Sequence, residues 1–195
     1  VYITLNGIRD ECYSRQQRDR FMNNVSPTTT DSDIDLYTWF LVDIDPVRAT
    51  GTSSSEEQIV FAKEKGNQVY EFMKQTGFEE PVVGFSGNGV HLLYSVGLAM
   101  NEENKELVKD CLAVLSLFFS DDKVSVDTAN FNPARVCKLY GTLAQKGANT
   151  PERPHRMSYI VQAPEKTKQN DKALLQKLAG YLPVPDKPQG YNRFN

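Results

Sequence analysis

The stretch YTWFLVDIDP, residues 37–46, decides the fold class of this 195-residue chain. Aromatic and β-branched side chains fill residues 37–44, which is typical of a strand, and Pro46 is a residue that stops one. We therefore predict a strand over 37–44 that ends at the acidic pair Asp43 and Asp45.

The alternation of side chains along this strand predicts a polar site at its end. Successive side chains point to opposite faces, so Asp43 and Asp45 should share one face while Val42 and Ile44 point into the core. Two carboxylates this close raise a pKa and cost stability unless a cation lies between them, and their oxygens suit Mg²⁺ or Mn²⁺. An Asp before Pro also commonly opens a turn, so the pair alone leaves both interpretations open.

Outward from this strand, the sequence alternates between strand and helix periods, which indicates a mixed α+β domain. Strands are predicted at 1–5, 82–86, 90–96, 124–127, 135–140 and 157–161, helices at 9–24, 103–118 and 170–181, and a loop at 26–35. A further helix should start at a capping box formed by Ser53 or Ser54 and run to Thr76, with Gly77 as its stop. The expected buried faces of the two long helices are Ile59, Ala62, Val69 and Met73, and Leu107, Cys111, Leu115 and Phe118.

Composition excludes several classes of protein. The chain has 22 Lys and Arg against 25 Asp and Glu, a net charge of −3, which excludes a globally basic nucleic-acid coat. No stretch approaches the roughly 20 apolar residues of a membrane span. Three cysteines without a CxxC motif argue against a disulfide framework or structural zinc, so we expect a reducing, cytoplasmic location. The start at Val1 and the Pro-rich residues 183–190 suggest a piece of a longer polypeptide.

A third carboxylate and a glycine-rich turn extend the candidate site. Asp127 follows the strand-like residues 124–126, where a third carboxylate would complete a two-metal site for phosphoryl or nucleotidyl transfer, although a solvent-facing Asp is the plainer interpretation. Glycines in the hairpin turn Gly87-Asn88-Gly89 tolerate positive φ and let backbone N–H groups approach a phosphate. His91 follows this turn and is either a ligand contact or a structural histidine.

Positive charge is concentrated in residues 132–156. Against the single acidic residue Glu152, this segment has a net charge of +4 in an acidic chain, with its basic residues at Arg135, Lys138, Lys146, Arg153 and Arg156. Such local charge suits a triphosphate or a nucleic-acid backbone, and it also suits a solvated basic loop.

In order, the motifs are Asp43-Ile-Asp45, Ser86-Gly-Asn-Gly-Val-His91, Val126-Asp127 and Arg135-Val-Cys-Lys138-Leu-Tyr-Gly-Thr142. This ordered set resembles the archaeo-eukaryotic primase superfamily, most closely the primase-polymerase domains of phages, plasmids and other mobile elements. The resemblance covers residues 1–162 and leaves 163–195 as a C-terminal helix and a Pro-rich linker to a further domain. It implies an α+β catalytic core of two α/β lobes around a cleft, one of them similar to an RNA-recognition motif.

The resemblance also implies roles for individual residues. Asp43, Asp45 and Asp127 would be the catalytic residues and would hold two divalent ions, Mg²⁺ or Mn²⁺. The nucleotide would be bound by Ser86, Gly87, Asn88, Gly89, His91, Arg135, Lys138, Thr142 and Lys146. The family's compact Ser-x-His motif is lengthened here, and Arg153 and Arg156 are either template contacts or structural residues.

The implied function is template-dependent nucleotidyl transfer that makes primers on single-stranded DNA, with or without extending them. Its implied partners are the template, NTP or dNTP, and a fused or associated helicase, with no membrane. One alternative is a metal-dependent nuclease, which also uses acidic pairs at strand ends. A second alternative is a non-catalytic module that binds nucleotide or single-stranded DNA for a helicase-primase.

Overall fold

The computed structural model describes residues 1–15, 20 and 26–183, and this part of the chain is a mixed α/β fold. Its strands are β1 (Tyr2–Thr4), β2 (Gly7–Ile8), β3 (Ile34–Pro46), β4 (Val82–Phe85), β5 (Val90–Ala99), β6 (Val124–Val126), β7 (Val136–Lys138), β8 (Leu143–Ala144), β9 (Arg156–Met157) and β10 (Tyr159–Gln162). Its α-helices are α1 (Glu56–Thr76), α2 (Glu102–Phe119) and α3 (Lys172–Ala179). Short 3₁₀ helices lie at Asp10–Ser14, Asp31–Asp33 and Thr128–Phe131.

The strands form one large antiparallel sheet and two small ones. The large sheet has the order β10-β4-β5-β3-β2, and β6 pairs with the end of β3. The small sheets pair β1 with β7 and β8 with β9. The predicted hairpin is confirmed, since β4 and β5 pair on either side of the glycine-rich turn.

The core lies between the large sheet and the helices. Val42, Ile44 and Leu92 point from the sheet into an apolar cluster that includes residues of all three α-helices. Helix α3 contributes the fully buried Leu175 and Leu178. A smaller apolar cluster of Leu41, Leu93 and Cys137 packs separately from this core. Burial of apolar side chains on both faces holds β3 and β5 in the middle of the sheet.

Strand β3 is longer than we predicted. It begins at Ile34, within the predicted loop, directly after a 3₁₀ turn capped by Thr30 and Asp33. It also includes Pro46, whose missing N–H is tolerated because the residue stands at the end of the strand.

Helix α1 begins one or two residues later than the predicted capping box at Ser53 or Ser54 placed it. Ser55 is the N-cap, and its side chain accepts a hydrogen bond from Gln58 N while the Gln58 side chain accepts one from Ser55 N. Ser53 and Ser54 are instead buried and bond to distant segments. The predicted buried face and the end at Gly77, with φ of 107°, are confirmed.

Other elements differ from the prediction in detail. Phe118 of α2 is exposed because it belongs to a surface aromatic group with Phe72 and Tyr181. Of the predicted helix 9–24 the structure describes a 3₁₀ helix at Asp10–Ser14, and most of the remainder lies outside the described residues, as does most of the Pro-rich tail. The three cysteines are free. Among described helices, none has the length and apolar character needed to cross a membrane.

Candidate active site

A cavity of about 620 Å³ lies where β3, β5 and β6 approach the two small sheets. It brings together most of the residues that the sequence proposed, since its lining includes Asp43, Asp45, Ser86, Asn88, His91, Asp127, Arg135, Lys138 and Lys146. Gly87, Gly89 and Thr142 do not line it. The catalytic and binding roles of these residues stay predictions.

Strand pairing positions the three carboxylates. In β3, Asp43 is opposite His91 of β5, and Asp45 is opposite Ser125 of β6. The chain leaves β6 at Asp127, whose N–H donates to the Asp43 carbonyl oxygen over 2.9 Å. Because this backbone bond joins the ends of two strands, the third carboxylate faces the same cavity as the first two.

Asp43 is a half-buried carboxylate with one buried, unsatisfied oxygen. Its Oδ1 is buried and accepts no hydrogen bond, although His91 Nε2 lies 3.4 Å away, at ion-pair distance. Burial raises the pKa of Asp43, but the charges of His91 and of the cavity arginines outweigh it and lower the pKa overall. Asp43 is therefore anionic and still has an acceptor to offer.

Asp45 shows the cost of placing two carboxylates side by side. Burial and the neighbouring charge of Asp43 raise its pKa, against the opposing effect of Arg48. Arg48 donates to Asp45 Oδ2 over 3.2 Å and to the carbonyl oxygens of Pro46 and Thr52, which fixes this guanidinium at the base of the cavity.

Asp127 is paired with Arg135. One carboxylate oxygen accepts from Arg135 over 3.0 Å and the other accepts from Ala129 N over 2.8 Å. Both partners of the ion pair are partly exposed, at 33% and 41%. As these side chains stand, no three His, Cys, Asp or Glu residues in the described part of the chain form a group that could hold a metal ion.

His91 lies behind the acidic pair and is 4% exposed. Its Nδ1 is 2.8 Å from the Tyr140 hydroxyl, and Cys137 Sγ lies 3.7 Å from the same nitrogen. Burial lowers the pKa of His91, but the charge of Asp43 opposes this and raises it to about 10. The imidazolium thus faces Asp43 with Nε2 and the Tyr140 hydroxyl with Nδ1, and its charge holds Asp43 against the strand.

The glycine-rich turn is packed inside the protein. Ser86 Oγ accepts hydrogen bonds from Asn88 N and Gly89 N, two of the amides that were expected to face a phosphate. Asn88 bonds through its side chain and carbonyl to Ser54 at the start of α1. A Cβ on Gly89 would collide with Asp45 Oδ1 and the Ile44 carbonyl oxygen. Glycine at this position therefore allows the turn to pass close beside the acidic pair.

The basic segment divides into two groups. Lys138 is only 5% exposed and donates to the Leu143 carbonyl oxygen, and Lys146 is exposed at the cavity. Across the described residues, neither lysine forms an ion pair with a carboxylate. Arg153 and Arg156 instead donate to the carbonyl oxygens at the start of α1, so the structural interpretation of these two is the one the geometry favours.

Sequence reasoning missed two residues of the site. Arg48 stands three residues after Asp45, so its proximity to the acidic pair was available from the sequence. Tyr140 contacts His91 across 49 positions, and no local pattern indicates that contact. Thr142 was predicted to bind nucleotide, but its hydroxyl donates to the Leu139 carbonyl oxygen within its own turn.

Comparison with known proteins gives one fold-level likeness. No family model matches the sequence, and no curated protein matches it. Among solved structures, the chain is similar to the AEP domain (PP-N190) of the primase-polymerase of cyanophage S-2L, with a TM-score of 0.46 and 17% sequence identity. The match covers 76% of this chain and 64% of that one, so this chain spans less than two thirds of its length. A likeness of this size does not assign the chain to a family.

Proposed function

We propose that this chain is a metal-dependent nucleotidyltransferase of the primase-polymerase kind, which makes and extends primers on single-stranded DNA. The supporting observation is that a single cavity holds three carboxylates beside the cationic side chains of Arg135, Lys138 and Lys146. Nucleotidyl transfer needs this combination, since the reacting phosphate must be held in line while negative charge develops on the departing group.

The basic side of the cavity would bind the triphosphate. Lys138 and Lys146 have no carboxylate partner among the described residues, so their charges are available to an anion. Charge-assisted contacts to phosphate oxygens are roughly twice as strong as neutral hydrogen bonds. The substrate is therefore an NTP or dNTP whose phosphates lie along the segment from Arg135 to Lys146.

The acidic side fits divalent cations in its donor chemistry. Asp43 Oδ1 is a buried acceptor without a hydrogen bond, and the charged form of Asp45 is disfavoured by burial and by the charge of Asp43. A bound cation would relieve both. Asp127 completes the set when its carboxylate leaves Arg135, which costs little because exposed ion pairs contribute about 0–1 kcal/mol. Mg²⁺ or Mn²⁺ held by these three residues would acidify the attacking 3′ hydroxyl and neutralise the departing pyrophosphate.

The surrounding residues position the reacting groups. The imidazolium of His91 and the guanidinium of Arg48 fix the two strand carboxylates from behind. When Asp127 turns away from Arg135, that guanidinium is released toward the phosphates, so one side-chain exchange prepares both sides of the cavity. The proposal also includes two α/β lobes, with the six-stranded sheet in one and the small sheets opposite, and a fused or associated helicase as partner.

The decisive experiment is primer synthesis on unprimed single-stranded DNA with labelled NTPs and dNTPs in Mg²⁺ or Mn²⁺. We expect product from the parent chain and at least a ~1,000-fold loss in Asp43→Asn/Asp45→Asn, because removal of the carboxylates removes the metal sites. Asp121→Asn is the matched control, since it removes a carboxylate on the surface. Equal product from the double variant would contradict the proposal, and template cleavage without nucleotide would support a nuclease instead.

A non-catalytic binding module is the second candidate, and the ion pairs of the cavity favour it. Each carboxylate already has a cationic partner, in the pairs Asp43 with His91, Asp45 with Arg48 and Asp127 with Arg135, so the site is electrostatically balanced without metal. This function predicts nucleotide binding that survives Asp43→Asn/Asp45→Asn and no phosphodiester product from any variant. Calorimetric titration of the parent chain and of Asp43→Asn/Asp45→Asn with nucleotide, together with the primer assay, distinguishes a binding module from a transferase.

A further inference from the structure

One wall of the cavity is apolar and exposed, in contrast to its charged floor. Tyr2, Val136 and Leu143 line the cavity and are 65%, 51% and 41% exposed. We call this the β1–β7 wall, after the two-stranded sheet that provides its first two residues. Apolar side chains grouped at the mouth of a charged cavity mark a place where a ligand with an apolar part binds.

Strand pairing fixes the position of the tyrosine on this wall. Tyr2 is directly opposite Lys138 in the antiparallel pair, so their side chains leave the same face of the sheet. Lys138 Nζ lies 5.2 Å from the centre of the Tyr2 ring and donates to the Leu143 carbonyl oxygen. The lysine therefore contacts one face of the ring, and the remaining aromatic surface faces outward.

We propose that Tyr2 is the platform on which the base of the bound nucleoside triphosphate stacks. This inference rests on the proposed function, because it uses Lys138 as a phosphate contact. Lys138 lies beside the Tyr2 ring and also belongs to the cationic side of the cavity. The flat apolar ring is therefore next to the phosphate contacts, and a nucleotide likewise has a flat base next to its phosphates. Every base has a π-face, so the contact strengthens binding of all four nucleotides without selecting among them.

The test separates the base from the phosphates. The full chain and its variants are titrated calorimetrically, with Mg²⁺ present, with ATP, dTTP and inorganic tripolyphosphate. Base–aromatic stacking of ~1–3 kcal/mol predicts that Tyr2→Ala weakens ATP and dTTP binding by roughly 5- to 150-fold. Tripolyphosphate has no base, so its affinity should stay within twofold. Tyr2→Phe should keep nearly the parent affinity for all three ligands, because it retains the ring.

The control is Tyr13→Ala, which removes another exposed tyrosine that does not line the cavity. Thermal unfolding of each variant checks that the substitution leaves the fold intact. Unchanged ATP and dTTP affinity in Tyr2→Ala overturns the inference and leaves the proposed function standing. An equal loss of affinity for tripolyphosphate does the same, because it would mean that Tyr2 acts only through Lys138. A parent chain that binds none of the three ligands overturns both.

Discussion

The basic residues of the segment 132–156 lie in two regions of the molecule, and their positive charge has a different role in each. Arg153 and Arg156 extend to the start of α1, while Arg135, Lys138 and Lys146 line the cavity. The first pair donates to the carbonyl oxygens of Ser53 and Ser54, which directly precede the N-cap of α1. The second group includes two cations, Lys138 and Lys146, without a carboxylate partner in the described chain. Charge that bonds to backbone acceptors of a distant segment stabilises the fold, whereas a cation that lines a cavity without a carboxylate partner favours an anionic ligand.

The bonds of the first pair are specific. Arg153 donates to the Ser53 carbonyl oxygen over 2.6 Å and to the Gln58 side chain over 2.9 Å. Arg156 donates to the Ser54 carbonyl oxygen over 2.7 Å and pairs with Glu56. These contacts join residues about 100 positions apart, so they close the fold around the glycine-rich turn and the start of α1.

The largest expected effect comes from removing this pair. Hydrogen bonds to charged groups contribute about 1.5–3 kcal/mol each, so losing the backbone bond of each arginine in Arg153→Ala/Arg156→Ala should lower the free energy of unfolding by about 3–6 kcal/mol. For a chain of this size that corresponds to a Tm lower by about 6–24 °C, measurable by circular dichroism. Tripolyphosphate affinity, measured well below the Tm, should not change. A strong loss of that affinity with an unchanged Tm would reverse the assignment of the two regions.

Lys146→Ala tests the other region and should give the opposite pattern. The side chain is exposed at the cavity, so its removal should change the free energy of unfolding by less than about 0.5 kcal/mol. Loss of one phosphate contact of about 1.4 kcal/mol corresponds to a tenfold weaker binding of tripolyphosphate. The salt dependence of binding should also become less steep. Lys166→Ala, a lysine that does not line the cavity, is the matched control.

The division between these regions could not be predicted from the sequence. The alternation of β3 was enough to place Asp43 and Asp45 on one face, because a strand's side-chain period is local. Whether a given arginine faces a cavity or a helix terminus depends on contacts between residues about 100 positions apart, as at Arg156. Local charge density therefore identified the segment, and tertiary packing decided what each of its residues does.

For the glycine-rich turn, too, the sequence predicted the local structure but not the tertiary contacts. Its sequence predicted a hairpin, which is correct, and suggested free amides for a phosphate. The structure shows Gly89 against Asp45 and two amides bonded to Ser86. Glycine permits close approach, but the sequence does not say whether the approaching group is a ligand or another part of the chain.

Arg135 is the residue that joins the two sides of the cavity, and its substitution should affect them in opposite directions. Arg135→Gln removes the cation that competes for Asp127, so Mn²⁺ affinity without nucleotide should rise by up to about fivefold, the equivalent of an exposed ion pair. Tripolyphosphate affinity should fall, because a phosphate contact is lost. Electron paramagnetic resonance of Mn²⁺ measures the first quantity. Arg9→Gln, which removes a surface pair with Asp35, should change neither, and a fall in Mn²⁺ affinity for Arg135→Gln would contradict the exchange.

The smallest effect concerns an ion pair that belongs entirely to the fold. Lys65 and the backbone N–H groups of Lys123 and Val124 lower the pKa of Asp121 to about 2. A carboxyl whose folded pKa is lowered stabilises the protein above its unfolded pKa, near 3.9, and loses that contribution as the pH falls toward 2. Asp121→Asn should therefore be less stable than the parent at pH 7, by no more than about 1 kcal/mol because the pair is partly exposed. The two proteins should converge in urea unfolding at pH 2, and a difference that persists there would mean that Asp121 stabilises the turn by shape rather than by charge.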